Sequence, residues 1–429
     1  MSNIRVENKA TKMKPALNNL HTESENITAK YFSTIKNMVQ RKTRVEHILI
    51  GALLLLALLL RISFLPFESG DYQRYVAIWY SFMRAHGGFL ALKYEIGDYT
   101  PFYFYFIAFV TYIPIPQIVS LKGISIFFDF VLAFFAYLIV KTKYPGGYVP
   151  FIASVLILFA PTIFINSALW SQSDGIYTAF GAAGLYFLMK KRPWLACFCF
   201  GLSLSFKPEA IFLSPLLLCL WMKREVSIKH LVMIPVTYLL IIFPPFLLGR
   251  SFINLLTIYV RATGEYPSLT LHAPTFWQWF PDSQFSNLHY SGIILAMACV
   301  IILCFVVYVR HQEVSAQLVL LLAFIFVLSI PFFLPEMHER YFYMADVISI
   351  IYACYVPRQF YLAIVVQLAS LLSYVPVLFY TTIISFYLLS FLILGAIIIT
   401  VGTLIKDLYF VGGQLNTTQV ENEALCPEE

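Results

Sequence analysis

The run HILIGALLLLALLLRISFL, residues 47–65, is followed at once by Phe67-Glu68-Ser69-Gly70-Asp71-Tyr72-Gln73-Arg74-Tyr75. An apolar run of that length spans a bilayer as a single helix. The segment behind it puts two carboxylates and an arginine where such a helix surfaces. Ionisable groups at a membrane mouth are costly to place and rarely idle, so this corner is expected to be functional. The rest of the chain repeats the pattern of long apolar run and short polar break.

Over 429 residues, 60% are hydrophobic, 17% aromatic and 12% charged, with a mean hydropathy of +0.76. No soluble domain of that size hides so much apolar surface, which selects an all-α polytopic membrane protein. The net charge of +6 is modest. Its basic residues sit in tails and loops, where they report topology, and no nucleic-acid partner is expected. The seven cysteines, Cys197, Cys199, Cys219, Cys299, Cys304, Cys354 and Cys426, lie almost all in apolar runs and do not form a disulfide framework. Cys197-Phe198-Cys199 lacks the spacing of a metal site.

Residues 1–45 are polar and basic, too long and too charged for the start of a signal peptide, so the span behind them is expected to be retained. This tail and the acidic tail 407–429 are read as cytoplasmic, with the transmembrane domain at 46–406. The sequons at Asn26 and Asn416 would then go unused. Basic clusters at Arg41, Lys190, Lys223, Arg310, Arg358 and Lys406 mark the inner side. Two large outer loops follow, 66–101 and 249–289, the first carrying interfacial helices such as 76–83. The apolar runs sum to about 11 to 13 membrane segments.

One parity conflict stands. Full crossings at 102–118, 123–140 and 149–169 would leave 170–174 inside, whereas Lys190-Lys191-Arg192, one helix later, asks for it to be outside. Either 102–114, which ends in Pro114-Ile115-Pro116, is re-entrant, or Lys141 and Lys143 break the charge rule. The two halves do not match in charge or proline placement, which weighs against an inverted-repeat carrier.

Under this topology five polar islands share the outer mouth or membrane depth. They are Glu68 with Asp71 and Arg74; Asp98-Tyr99-Thr100-Pro101; Trp170-Ser171-Gln172-Ser173-Asp174-Gly175; Lys207-Pro208-Glu209; and Glu336-Met337-His338-Glu339-Arg340-Tyr341. Each also has a structural reading. Asp71 or Asp174 would cap a helix, Asp98 before Thr100-Pro101 makes a natural helix start, Lys207 would snorkel, and His338-Glu339-Arg340 would be an internal salt bridge. Phe276-Trp277-Gln278-Trp279-Phe280 reads as an interfacial aromatic belt. The combination on one side favours function.

Group transfer from a lipid-phosphate carrier needs a carboxylate to take the acceptor's proton. It also needs fixed cations or donors for the departing phosphate in a site with little water. Asp71 fits the first demand, and Lys207, His338 and Arg340 fit the second. Such a leaving group makes a divalent metal helpful without making any cofactor obligatory.

These islands resemble the GT-C superfamily, the polytopic glycosyltransferases that use polyprenyl-phosphate sugars. Asp71 in the first outer loop resembles their catalytic Asp. Asp98-Tyr99-Thr100-Pro101-Phe102 is similar to the Asp-Tyr-Pro-Pro segment of the lumenal glucosyl- and mannosyltransferases and their bacterial relatives. The stretches 167–175 and 205–210 look like the Trp-Gly-Gln-x-Asp and Lys-Pro-x-Ala blocks. His272-Ala273-Pro274-Thr275-Phe276-Trp277 and Met337-His338-Glu339-Arg340-Tyr341 resemble two later outer-face blocks. Ser171 stands where those relatives often carry Gly, and Asp71 lacks a neighbouring acidic partner, so Glu68 and Asp98 are its reserves.

The resemblance implies a GT-C fold with an outward pocket roofed by the two outer loops. Asp71 would be general base; Lys207, His338 and Arg340 would hold the donor phosphate; Gln172 and Asp174 would orient sugar or loop; and His272 and Trp277 would bound the acceptor side. A hexose, mannose or glucose first, would pass with inversion from a polyprenyl phosphate to a glycan or glycolipid acceptor. The membrane would be a bacterial inner membrane, with the site periplasmic, or the endoplasmic reticulum, with the site lumenal. The rival is a flippase or carrier for a lipid-linked glycan, which would spread charged groups over both leaflets.

Overall fold

In the computed structural model, residues 48–97, 99–261, 267–310 and 313–411 are described. Asp98, both sequons, Cys426 and all of the tails except 407–411 lie outside them. Among the described residues, six helices are long and apolar enough to cross a membrane: Gln117–Lys141, Ile228–Leu247, Asp282–Val309, Ala316–Phe333, Pro357–Phe379 and Phe386–Tyr409. A bent pair, Val149–Phe159 and Pro161–Leu169 meeting at 48°, makes a seventh if it crosses as one broken span and a re-entrant loop if it does not. The chain is therefore an all-α, multi-pass membrane protein. Four further apolar helices, Ile48–Ser63, Pro101–Val110, Pro193–Phe206 and Pro208–Met222, are shorter.

The chain divides into two compact units, Met1–Leu59 and Leu60–Glu429. In the first, residues 48–59 are helical. The second holds every site residue discussed below. Within it, Ala316–Phe333 is apolar on all sides and 83% of its span is buried by protein, whereas only 22% of Asp282–Val309 is. A helix apolar all round belongs in a core. The outer helix instead turns Ile294, Ile301, Ile302 and Phe305 away from the protein, as a lipid-facing stripe would.

Proline sets the break in the bent pair. Pro161 has no N–H to donate and pushes the residue before it out of helical geometry, and Ala160 is extended, at φ −64° and ψ 123°. Beyond the break the helix widens into a π-helical turn, Ile165–Leu169. Such turns are frequent where side chains must be re-aimed for function.

Helix length also bears on the parity conflict. Pro101–Val110 has ten residues. It rises about 15 Å, half of the roughly 30 Å that a crossing needs. Beyond its end, the Tyr112 hydroxyl donates to Gly87 O at 3.0 Å and accepts from Phe89 N–H at 3.2 Å. Gln117 Nε2 donates to Ala77 O at 2.9 Å. These three bonds fasten the segment to the loop 66–101, whose amphipathic helix Ala77–Ala85 buries Tyr80 and Met83 and leaves Ile78 outside.

Two buried cations anchor the corner where that loop starts. Lys122, fully buried, donates to the carbonyls of Phe64, Leu65 and Phe67 at 3.0, 3.3 and 2.6 Å. Arg61 Nε donates to Asp129 Oδ2 at 2.8 Å, and the Ser167 hydroxyl reaches the same oxygen at 2.6 Å. The pair ties the first helix to Gln117–Lys141, and Ser167 adds the bent helices. The loop 249–289 is tied in by a two-residue parallel pairing of Thr270–Leu271 with Met337–His338, in register Thr270 to Met337.

Candidate functional site

Asp71 precedes the short helical segment Tyr72–Val76 and makes no side-chain cap to it. Its position comes from Ser69, whose hydroxyl donates to Trp170 O at 2.6 Å and accepts from Tyr72 N–H at 3.1 Å. Asp71 Oδ2 then accepts from Trp170 Nε1 at 3.1 Å and from Gln172 Nε2 at 2.6 Å. Arg340 Nη1 lies 3.8 Å from the same oxygen, and the Asp71 side chain stays 30% exposed. It is thus a carboxylate oriented by two neutral donors, with part of its surface open.

Asp174 sits deeper. Its Oδ1 takes a bond from Lys207 Nζ at 2.5 Å, with both side chains 3% exposed. Its Oδ2 accepts from Asn166 Nδ2 at 2.8 Å and lies 4.0 Å from Arg340 Nε. The capping reading of Asp174 gives way to this pairing, since the residue opens Asp174–Met189 and Ser173 makes no side-chain cap. A carboxylate in the first turn of a helix also meets the positive end of its dipole. Lys207 does not snorkel; it is buried, with Nζ 5.2 Å from the centre of the Tyr99 ring. The Thr100 hydroxyl bonds the Ser205 carbonyl, which draws the second and fourth islands together.

The last island brings Arg340, which joins the others. Its guanidinium lies within 4.0 Å of carboxylates on Asp71, Asp174 and Glu339. The internal salt bridge is also present: Glu339 lies 3.4 Å from Arg340 Nη1 and 3.8 Å from His338 Nδ1. Burial alone would lower the Arg340 value, but Glu339 and Asp174 outweigh it and hold the guanidinium well above its ordinary range. Burial alone would likewise raise Glu339, yet the bond to His338 and the charge of Arg340 bring its carboxyl below the usual value.

Several buried polar atoms here keep unused bonding capacity. Asn166 Oδ1, Ser171 Oγ, Glu209 Oε2 and the Tyr343 hydroxyl have no hydrogen-bond partner. Buried polar groups are paired as a rule, so these four atoms are acceptors and donors with capacity to spare. Glu209 is the fourth carboxylate of the neighbourhood and raises the Lys207 value through its charge.

Asp71, Gln172, Asp174, Lys207 and Arg340 are therefore brought together, with His338 one step behind through Glu339. Glu68 is exposed and accepts from Gln73 Nε2 at 3.2 Å, with no bond to this network. Asp98 lies outside the described residues. His272 is exposed at a positive φ of 57°, and its backbone bridges to His338. Trp277 is buried and gives its indole N–H to Phe333 O at 2.7 Å, a packing role. Residue reading placed Trp170 and Glu339 in polar islands without giving them a site role, and it missed Asn166. A tryptophan beside Gln172 and an asparagine inside an apolar run were the available signals. Among the described residues no group of three or more His, Cys, Asp or Glu side chains is placed to hold a metal ion. No protein-family model matches the chain, and no curated protein matches it either.

Proposed function

We propose that the protein is an integral-membrane glycosyltransferase of GT-C type, moving one hexose from a polyprenyl phosphate to a glycan or glycolipid acceptor on the non-cytoplasmic face. The observation that carries this reading is the meeting of four islands around Arg340, where a part-exposed carboxylate on Asp71 stands beside the buried Asp174–Lys207 pair.

In the reaction, an acceptor hydroxyl attacks the anomeric carbon and its proton passes to Asp71. The bond from that carbon to the phosphate oxygen breaks, and the polyprenyl phosphate leaves with the electron pair. A single displacement inverts the anomeric centre. Trp170 and Gln172 hold Asp71 in line by bonding one oxygen and leaving the other to the acceptor. Lys207, Arg340 and His338 meet the charge that grows on the phosphate. Asp71, Asp174, Glu209 and Glu339 outnumber Lys207 and Arg340, which puts the demand for further positive charge on His338 or on a divalent ion. The outer-face assignment and the count of about 11 to 13 membrane segments belong to the same reading.

The test is Asp71→Asn, assayed in membranes with labelled polyprenyl-phosphate hexoses and with protein level measured alongside. Loss of transfer by about 10²- to 10⁴-fold is expected for a general base. Near-normal transfer would remove Asp71 from that role. Purified protein in detergent separates the carrier alternative: sugar transfer or slow donor hydrolysis supports the enzyme, while activity seen only as transport in sealed vesicles supports a flippase.

A further inference from the structure

A second group of charges, separate from the Arg340 cluster, collects where the helix Ile228–Leu247 ends. Gly249 takes a positive φ of 101°, a conformation that suits a residue without Cβ. The chain turns there, and Arg250 N–H bonds back to Pro245 O at 3.0 Å. The Arg250 side chain is consequently folded in, only 5% exposed, with Nη2 3.8 Å from Glu95 Oε1. That same oxygen already accepts from Arg261 Nη1 at 2.7 Å. Arg250 Nε and Nη2 have no hydrogen-bond partner. Two guanidinium groups thus share one carboxylate, which leaves a net positive charge and unused N–H donors. Burial pushes the Arg250 guanidinium below its ordinary value, Glu95 opposes this and Arg261 adds to it. A further anion would relieve that strain.

The surroundings indicate which anion. Between the two arginines run the short helices Phe252–Leu256 and Ile258–Arg261. One face packs Leu255 and Ile258 against Ile242. The other turns Ile253, 65% exposed, and Val260, 71% exposed, outward. Helices apolar on the outer face with arginines at their ends lie at a lipid interface, with the cations at headgroup level. A planar guanidinium meets phosphate oxygens with two parallel bonds, which a solvated lysine does not.

We propose that Arg250 and Arg261 form a site for the phosphate of an anionic lipid headgroup, whose acyl chains lie against the outer face carrying Ile253 and Val260. The site does not depend on the proposed sugar transfer. Glu95 sets its selectivity, because it competes with the ligand for both arginines.

Thermal unfolding of the full-length protein in neutral detergent tests this, with titrations of phosphatidic acid, phosphatidylglycerol, phosphatidylcholine and inorganic phosphate. The two anionic lipids are expected to raise the midpoint, while phosphatidylcholine and inorganic phosphate leave it in place. Arg250→Gln should weaken the apparent affinity for phosphatidylglycerol by about fivefold, one interfacial cation's share. Glu95→Gln should strengthen it, a result that a purely structural ion cluster would not give and that remains readable if the Arg250 variant fails to fold. Unchanged lipid affinity in Glu95→Gln, or a response to inorganic phosphate equal to that with lipid, overturns the proposal.

Discussion

Lys207 Nζ lies 2.5 Å from Asp174 Oδ1, and both side chains are 3% exposed. The two residues are 33 positions apart and come from separate polar breaks in an apolar chain. A buried pair of this kind adds little compared with a well-packed apolar pair, because both charges lose their hydration. Removing one partner is different, since the other charge is stranded. Lys207→Met is therefore expected to cost about 3–5 kcal/mol, and Asp174→Asn to cost less because the amide can still bond Lys207 and Asn166. The double variant should be more stable than Lys207→Met alone. Thermal unfolding of the set in detergent checks the cycle, and additive losses would show that the pair is not coupled.

Glu339 gives a pH dependence with a definite sign. Its folded carboxyl titrates below the ordinary value of 4.5, since His338 and Arg340 together outweigh the effect of burial. A depressed carboxyl contributes stability that is fully present above the unfolded value and is lost as pH falls through the folded one. The midpoint of unfolding should thus decline on the acid side of about pH 4.5. Glu339→Gln should flatten that decline while lowering stability near neutrality, because Arg340 loses one of its counter-charges. An acid limb as steep in Glu339→Gln as in the wild type would assign the titration elsewhere.

The spans were readable because bilayer thickness imposes a length and a composition that show in any single segment, as in 117–141 or 316–333. Much of the site was readable for the complementary reason: Asp71, Asp174, Lys207 and Arg340 are expensive inside such a chain, so their presence needs a cause. Pairing was not readable. Arg61 and Asp129, 68 positions apart, look like stray charges in separate apolar runs, and only the packing of their helices makes them partners. Lys122 is similar, because its acceptors are backbone carbonyls that any sequence would supply. Trp277 is buried against Phe276 and Phe280, which composition alone does not reveal, because an interfacial belt and an aromatic core use the same residues. The short helix Pro101–Val110 was ambiguous because its apolar run continues past the turn at Pro114 into the next helix.

Ser171 sits at a φ of 68°, and its hydroxyl has no hydrogen-bond partner. That left-handed backbone is one that glycine adopts without the clash a Cβ brings. A side chain there costs about 1–2 kcal/mol, against roughly 0.5–1 kcal/mol of extra chain entropy that glycine would bring to the unfolded state. Ser171→Gly is expected to match or slightly exceed wild-type stability and to keep transfer. Ser171→Val, branched at Cβ, should lose stability and displace Gln172 from Asp71. Equal stability of the Gly and Val variants would show that backbone strain does not operate at this turn.

Gly175 is the tighter constraint. A Cβ added there would stand 3.1 Å from Asp129 Oδ1 and 3.3 Å from the Tyr343 hydroxyl oxygen. Such a contact is tolerable only if the neighbour can give. Asp129 cannot, because its other oxygen is held by Arg61 at 2.8 Å and by Ser167 at 2.6 Å. Strain would pass instead to the first turn of Asp174–Met189, and so to the Asp174 carboxylate that organises Lys207 and Arg340. Gly175→Ala is therefore expected to destabilise by about 1–3 kcal/mol, the usual range for overpacking. Under the proposed transfer, kcat should fall more than donor KM rises, because Lys207 and Arg340, proposed to meet the developing phosphate charge, are displaced. Tyr343→Phe in the Gly175→Ala background tests the route: it removes a hydroxyl that has no hydrogen-bond partner and strands no charge, so recovery of kcat would trace the strain to Tyr343, whereas no recovery would place it at Asp129.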